Sequence, residues 1–161
     1  MLFENKANTI RAMLAARHET LAVAESVTAG YVQAILSSAE EATFFFQGGI
    51  TTYNLGQKCK HLNIDPIEAE LNNCVSAKVA LQMSIGVQKL FMSDYGIAIT
   101  GYAAPLPEKG IHNIYAFVAA TYKGEVLTLE KISSSATAAP AVQMDYAEQV
   151  LRILEACLER S

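Results

Sequence analysis

The stretch TLAVAESVTAG, residues Thr20 to Gly30, decides how the rest of the chain is read. Leu21, Ala22, Val23 and Ala24 form a short apolar run of the kind a buried strand makes. The run gives way to Glu25, Ser26, Thr28 and Gly30, and a helical pattern begins at Tyr31. A strand that ends in a hydroxyl-rich turn and then opens a helix places a serine beside backbone N–H groups with no intrahelical partner. Those donors and the positive end of the helix dipole favour resident or developing negative charge. Such a junction suits either the binding of an anionic small molecule or chemistry on one.

Working outward, Phe3, Ala7, Ile10 and Leu14 recur at helical spacing and predict an amphipathic helix over about 2–18. The helix after the turn is expected from Thr28 to Ser37, with Thr28 as its N-cap. Three phenylalanines, Phe44 to Phe46, precede Gly48-Gly49 and a strand expected over Ile50 to Tyr53. A polar helical turn then carries Lys58 and Lys60, and Asp65-Pro66 starts a further short helix. Ser76 caps a long helix whose buried stripe reads Val79, Met83, Val87 and Leu90. A buried strand, Gly96 to Thr100, is followed by a Gly/Pro-rich loop to Gly110. Strands over Ile111 to Tyr122 and Glu125 to Ser133 flank the Lys123-Gly124 turn. A small-residue linker leads to a last helix over Val142 to Glu159. Strands separated by helices imply parallel neighbours, and the late hairpin adds antiparallel pairing. The expected fold is α/β: a three-layer α/β/α sandwich with a mixed, mostly parallel sheet, in one domain over 1–161. Ligands of such sheets gather at strand carboxyl ends. Ser26, Tyr53 and Thr100 lie at or just past such ends and are expected to share a cleft.

Composition narrows the class of protein. The chain has 161 residues, of which 52% are hydrophobic and 17% charged, enough to bury a substantial core. A net charge of −4 with no basic cluster argues against nucleic acid as the main partner. No apolar run reaches membrane-spanning length, and the N-terminal stretch lacks a secretory apolar core. Cys59, Cys74 and Cys157 are scattered and make no metal-ligand spacing with His18, His61 or His112, so no metal is expected. A reduced, cytoplasmic protein is the expectation. The phenylalanine run reads as core and subunit contact, which suggests a homo-oligomer.

None of the common nucleophile or phosphate motifs is present: no G-x-S-x-G, P-loop, G-x-G-x-x-G or H-E-x-x-H. A serine can instead be activated by a lysine whose pKa is brought down by desolvation. Lys58 is the candidate, with Tyr53 on the same short stretch. On the residues alone Ser26 is either such a nucleophile or simply part of the turn's capping.

Beyond this local chemistry, the pattern Glu25-Ser26-Val27-Thr28-Ala29-Gly30, then F-x-G-G-I-x-x-Y-N-x-x-x-K ending at Lys58, then G-I-A-I-T-G-Y-A-x-P from Gly96, resembles the C-terminal domain of the competence/damage-inducible CinA proteins. That family includes stand-alone nicotinamide mononucleotide deamidases. The resemblance implies hydrolysis of a pyridine carboxamide to carboxylate and ammonia, with no metal or cofactor. It also implies Ser26 as nucleophile, Lys58 as base and Tyr53 as the associated tyrosine. Thr43, Thr100 and Gly101 fall on further site positions, and backbone N–H groups around Thr28 to Gly30 become candidate oxyanion donors. The implied partner is a small molecule, a pyridine nucleotide or a related amide.

The chain departs from the family pattern in three places. Val27 and Ala29 replace cysteine and glycine in the nucleophile turn. The loop Gly101 to Gly110 is short and poor in glycine. The family's phosphate-binding arginine near the start of the last helix has no counterpart, since no arginine lies between Arg17 and Arg152. Two readings follow: an amidohydrolase of the nicotinamide-nucleotide type or on a non-phosphorylated amide, and a non-catalytic relative that binds a ligand or partner.

Overall fold

β1 (Leu21–Glu25) is buried at every position and has a parallel neighbour on each side, β2 (Phe46–Thr51) and β3 (Tyr95–Gly101). In the computed structural model, which describes residues 2–161, β4 (Ala116–Tyr122) pairs antiparallel with β3, and β5 (Glu125–Ile132) antiparallel with β4. The strand order is β2-β1-β3-β4-β5, and β4 alone runs against the others. Helices α1 (Leu2–Arg17), α2 (Tyr31–Ser37), α3 (Leu55–Leu62), α4 (Pro66–Leu71), α5 (Ala77–Phe91) and α6 (Ala139–Arg160) cover the two faces, giving the expected α/β/α layering.

Strand periodicity sorts the side chains between the two layers. Leu21, Val23, Ile97 and Ile99 pack with residues of α1, α2 and α6. Ala22, Ala24 and Ala98 pack with Leu62, Val79, Met83 and Val87 of α3 and α5. The small residues on this second face let α5 come close to the sheet. A Cβ at Gly96 would collide with the Ser84 carbonyl oxygen, and one at Gly86 with that of Leu62. Each fully buried Leu, Ile or Val in these layers contributes about 1.5–3 kcal/mol.

Several boundaries differ from expectation, for identifiable reasons. β2 begins at Phe46, not Ile50, because Gly48 and Gly49 pair directly with Ala22 and Val23. Gly48, at φ +131°, sits where a Cβ would press on the Phe91 ring at 2.9 Å. Of the three phenylalanines only Phe45 is fully buried, whereas Phe44 is 73% exposed. β4 starts at Ala116 because Ile111 is used in a small bridge to Leu106. Its partner β5 follows a tight turn in which Lys123 and Gly124 both have positive φ, as a two-residue hairpin requires. α6 starts at Ala139, with Pro140 in its first turn where a missing N–H costs nothing. Leu90, expected in the buried stripe of α5, is 49% exposed. Thr28 does not cap α2. The N-cap is Gly30 in a left-handed conformation, with no side-chain bond of its own.

Candidate active site

Glu25 and Ser26 are consecutive, so the alternation of the strand sends them to opposite faces. Glu25 turns toward α2 and is fully buried. Its carboxylate accepts from the Thr28 hydroxyl at 2.6 Å, the Val32 and Gln33 N–H groups at 2.9 and 3.0 Å, and the Gln33 amide at 2.8 Å. The strand residue therefore caps α2 from below, where local sequence pointed to Thr28. An anionic acceptor at a helix N-terminus is the favourable arrangement.

Ser26 turns the other way, toward α3. Its N–H donates to the Ile99 carbonyl at 3.2 Å, extending the pairing of β1 with β3 by one residue. The chain then reverses tightly: Ala29 N–H donates to the Ser26 carbonyl at 3.0 Å, and Tyr31 N–H to that of Thr28 at 3.0 Å. Ala29 holds φ +51° and Gly30 φ +103°, so two successive residues lie in left-handed space, one of them with a Cβ. The N–H groups of Val27, Thr28 and Gly30 have no protein partner among the described residues. The Val27 carbonyl accepts from the Gln143 amide of α6 at 2.9 Å, which fastens the turn from the far end of the chain.

Lys58 comes from α3, whose start is fixed by Asn54 accepting the Gln57 N–H at 3.0 Å. The lysine is 2% exposed. Its Nζ donates to Ser26 Oγ at 2.9 Å and to the Thr52 carbonyl at 2.8 Å. None of the ion pairs among the described residues involves it. Burial without a carboxylate pulls its pKa below the ordinary 10.5, and the Cys74 and Cys59 thiols, when ionised, act in the opposite direction. The same burial pushes the Cys74 thiol up. Thr52, between β2 and α3, is fully buried, and its hydroxyl has no hydrogen-bond partner.

Ser26 and Lys58 open into a cleft of about 600 Å³ at the carboxyl ends of the parallel strands. Tyr53, Thr100 and Gly101 line it as well. Tyr53 is 65% exposed and its hydroxyl bonds nothing among the described residues, Lys58 included. Thr100 is buried and donates to the Cys74 carbonyl at 2.7 Å, so it anchors the cleft floor instead of pointing at Ser26. Thr28, Gly30 and Thr43 do not line the cleft: Thr28 is engaged by Glu25, Gly30 lies behind the turn, and Thr43 is exposed on a 3-10 turn over Ala42–Phe44. The structure adds Cys74, Tyr102 and Gln143 to the lining. Gln143 carried no local signal, because its role depends on α6 returning to the turn. No cluster of three or more His, Cys, Asp or Glu side chains suited to a metal exists among the described residues.

The fold and site together define a class: an α/β domain that presents a buried serine–lysine pair at the carboxyl ends of its parallel strands. Residues 3–158 match the family model of the CinA C-terminal domain, and the chain belongs to that family. A CinA-like protein of Thermosynechococcus vestitus is 36% identical over 127 residues, 77% of this chain and 30% of that protein. A putative competence-damage inducible protein of Moorella thermoacetica is 37% identical over 118 residues, 71% of this chain and 28% of that protein. The chain thus spans under a third of the length of these curated relatives. Among solved structures, a CinA superfamily protein from Klebsiella pneumoniae superposes with a TM-score of 0.92 at 24% identity, covering 99% of both chains. One from Escherichia coli gives 0.77 at 27% identity, covering 98% of this chain and 87% of that one.

Proposed function

We propose that the protein is an amidase of the nicotinamide-nucleotide type, converting a pyridine carboxamide to the carboxylate with release of ammonia. The observation that carries this reading is the 2.9 Å contact between Ser26 Oγ and a lysine that is buried with no counter-ion. Desolvation lowers the pKa of Lys58 and so favours the free amine that a base requires. In that form Nζ keeps its bond to the Thr52 carbonyl and turns its lone pair to Ser26. As Oγ attacks the amide carbon, its proton passes to Nζ. Of the unpartnered N–H groups of the turn, that of Val27, on the cleft wall, is the donor available to the oxyanion. The lysinium then returns its proton to the amide nitrogen, and ammonia leaves an ester on Ser26. Water, deprotonated by the same amine, cleaves that ester to the carboxylate and regenerates the serine.

The test is ammonia release from nicotinamide mononucleotide and from its dephosphorylated riboside by wild type, Ser26→Ala and Lys58→Ala. Wild type should turn over at least one of them, and each variant should be about a hundredfold to ten-thousandfold slower. Absence of wild-type turnover, or equal rates in all three, refutes the mechanism. A binding-only role is the second reading. It is favoured by Tyr53, which stands exposed and unbonded in place of joining the pair. Saturable binding with no turnover would establish it. A cytoplasmic homo-oligomer, with the exposed Phe44 in the subunit contact, completes the proposal. A Phe44→Glu variant that sediments identically to wild type would remove that part.

A further inference from the structure

The cleft at Ser26 continues over Ala103 into a second groove of about 460 Å³, walled by the loop after β3 and the segment between β5 and α6. Ala103 lines both. The groove presents His112, Asn113, Ser134, Ser135 and Thr137, with no Lys, Arg, Asp or Glu among its lining residues. Among the described residues that line the cleft, the one cationic side chain is Lys58, which is committed to Ser26 and Thr52. The start of α6 contributes Ala139 and Gln143 to the wall, and the Gln143 amide is taken by the Val27 carbonyl. That helix end offers the N–H groups of Ala139 and Ala141, but Pro140 supplies no donor and no guanidinium stands nearby. Lys109 stands in an adjoining groove that shares Asn73, Val75 and Tyr102 with the cleft, and its ammonium is engaged there, donating to Asn73 at 3.1 Å.

A phosphate monoester carries nearly two negative charges, and removing it from water demands charge-assisted donors. Hydroxyls, an amide and an imidazole instead match a neutral tail rich in hydroxyl groups, and a site built of such donors and acceptors discriminates well between tails. Tyr53 and Tyr102 line the same cleft, and aromatic side chains are the groups that take a flat cationic ring. We propose that the amide accepted here ends in an uncharged, polyhydroxyl tail: a pyridinium carboxamide nucleoside such as nicotinamide riboside, in preference to its 5′-phosphate. The proposal rests on the amidase reading above for its substrate's reacting group, and on the groove for the rest.

The experiment compares kcat/KM for nicotinamide riboside and nicotinamide mononucleotide, in wild type, Lys109→Ala and Ala139→Arg. Ala139 is exposed on the cleft rim, so an arginine fits there without disturbing the core. Wild type should favour the riboside about tenfold, Lys109→Ala should keep that preference, and Ala139→Arg should improve the mononucleotide about tenfold. A wild-type preference below threefold, or a mononucleotide activity that Lys109→Ala abolishes, overturns the proposal. Calorimetric titration of Ser26→Ala with both compounds separates this from the amidase reading. Tighter binding of the riboside with no turnover in wild type keeps the tail assignment and removes the chemistry. Failure of both to bind at millimolar concentration overturns the tail assignment itself.

Discussion

Replacing Lys58 with methionine should leave a more stable protein that, on the proposed mechanism, has lost its base. Methionine is close to lysine in length and fits an apolar site without a polar terminus. The variant loses the bonds from Nζ to Ser26 and Thr52, each about 1 kcal/mol net, and leaves the Thr52 carbonyl short of a donor. Against this stands the removal of a group that, once buried, must either shed its proton or hold an unpaired charge, and the relief is several kcal/mol. The balance is a gain of about 1 kcal/mol near neutral pH, or roughly 2–4 °C in Tm for a chain of this size. The pH dependence gives the sharper test. The folded state binds fewer protons at Lys58 than the unfolded state between its lowered pKa and 10.5. Wild-type stability therefore rises with pH across that window, and Lys58→Met lacks the rise. The variant's advantage should be largest below the window and shrink as pH climbs toward 10.5. Urea unfolding followed by far-UV circular dichroism at a series of pH values reads this directly, with ammonia release expected to fall at least about a hundredfold. A variant less stable than wild type at neutral pH, or a difference that stays constant to pH 10, refutes the account of Lys58 as an unpaired buried amine.

Three further substitutions probe the surroundings. Ala29→Gly relieves a left-handed alanine on the exposed side of the turn and should stabilise by about 0.5–1 kcal/mol; a loss in urea unfolding would show the turn is unstrained. Thr52→Val exchanges a buried hydroxyl without a partner for a methyl group and should gain about 1 kcal/mol by differential scanning calorimetry, whereas a loss would mean that hydroxyl is satisfied. Glu25→Gln sets an amide NH₂ against backbone donors of α2 and should cost about 2–3 kcal/mol, and a cost under 0.5 kcal/mol in chemical denaturation would deny the carboxylate its capping role.

Much of the architecture is legible in the chain because its signals are local. β1 and β3 are short apolar runs, Ser76 and Asn54 sit where caps belong, and Lys123-Gly124 has turn chemistry. The misplacements occur where a distant group takes over a local task. Thr28 looks like a cap, yet the acceptor for α2 arrives from Glu25 on the preceding strand, and Thr28 becomes a donor to it. Ile50 looks like a strand start, yet glycines before it pair just as well because their backbone is all the sheet requires. In the site, alternation along β1 and β3 explains why Ser26 and Thr100 face the layer that carries Lys58. No sequence pattern discloses that Tyr53 points outward, that Thr100 is spent on the Cys74 carbonyl, or that Gln143 reaches Val27.

The Gln143 latch also bears on the order in which the molecule is made. Ser26 and Lys58 are separated by 32 residues and leave the ribosome close together. The amide that holds their turn lies 116 residues beyond Val27, on a helix that packs over α1 and α2. Before that helix is synthesised, the nascent chain holds both side chains but not the brace that bonds the turn after Ser26. The turn that carries Ser26 therefore gains its brace only after α6 has been made and has packed onto α1 and α2.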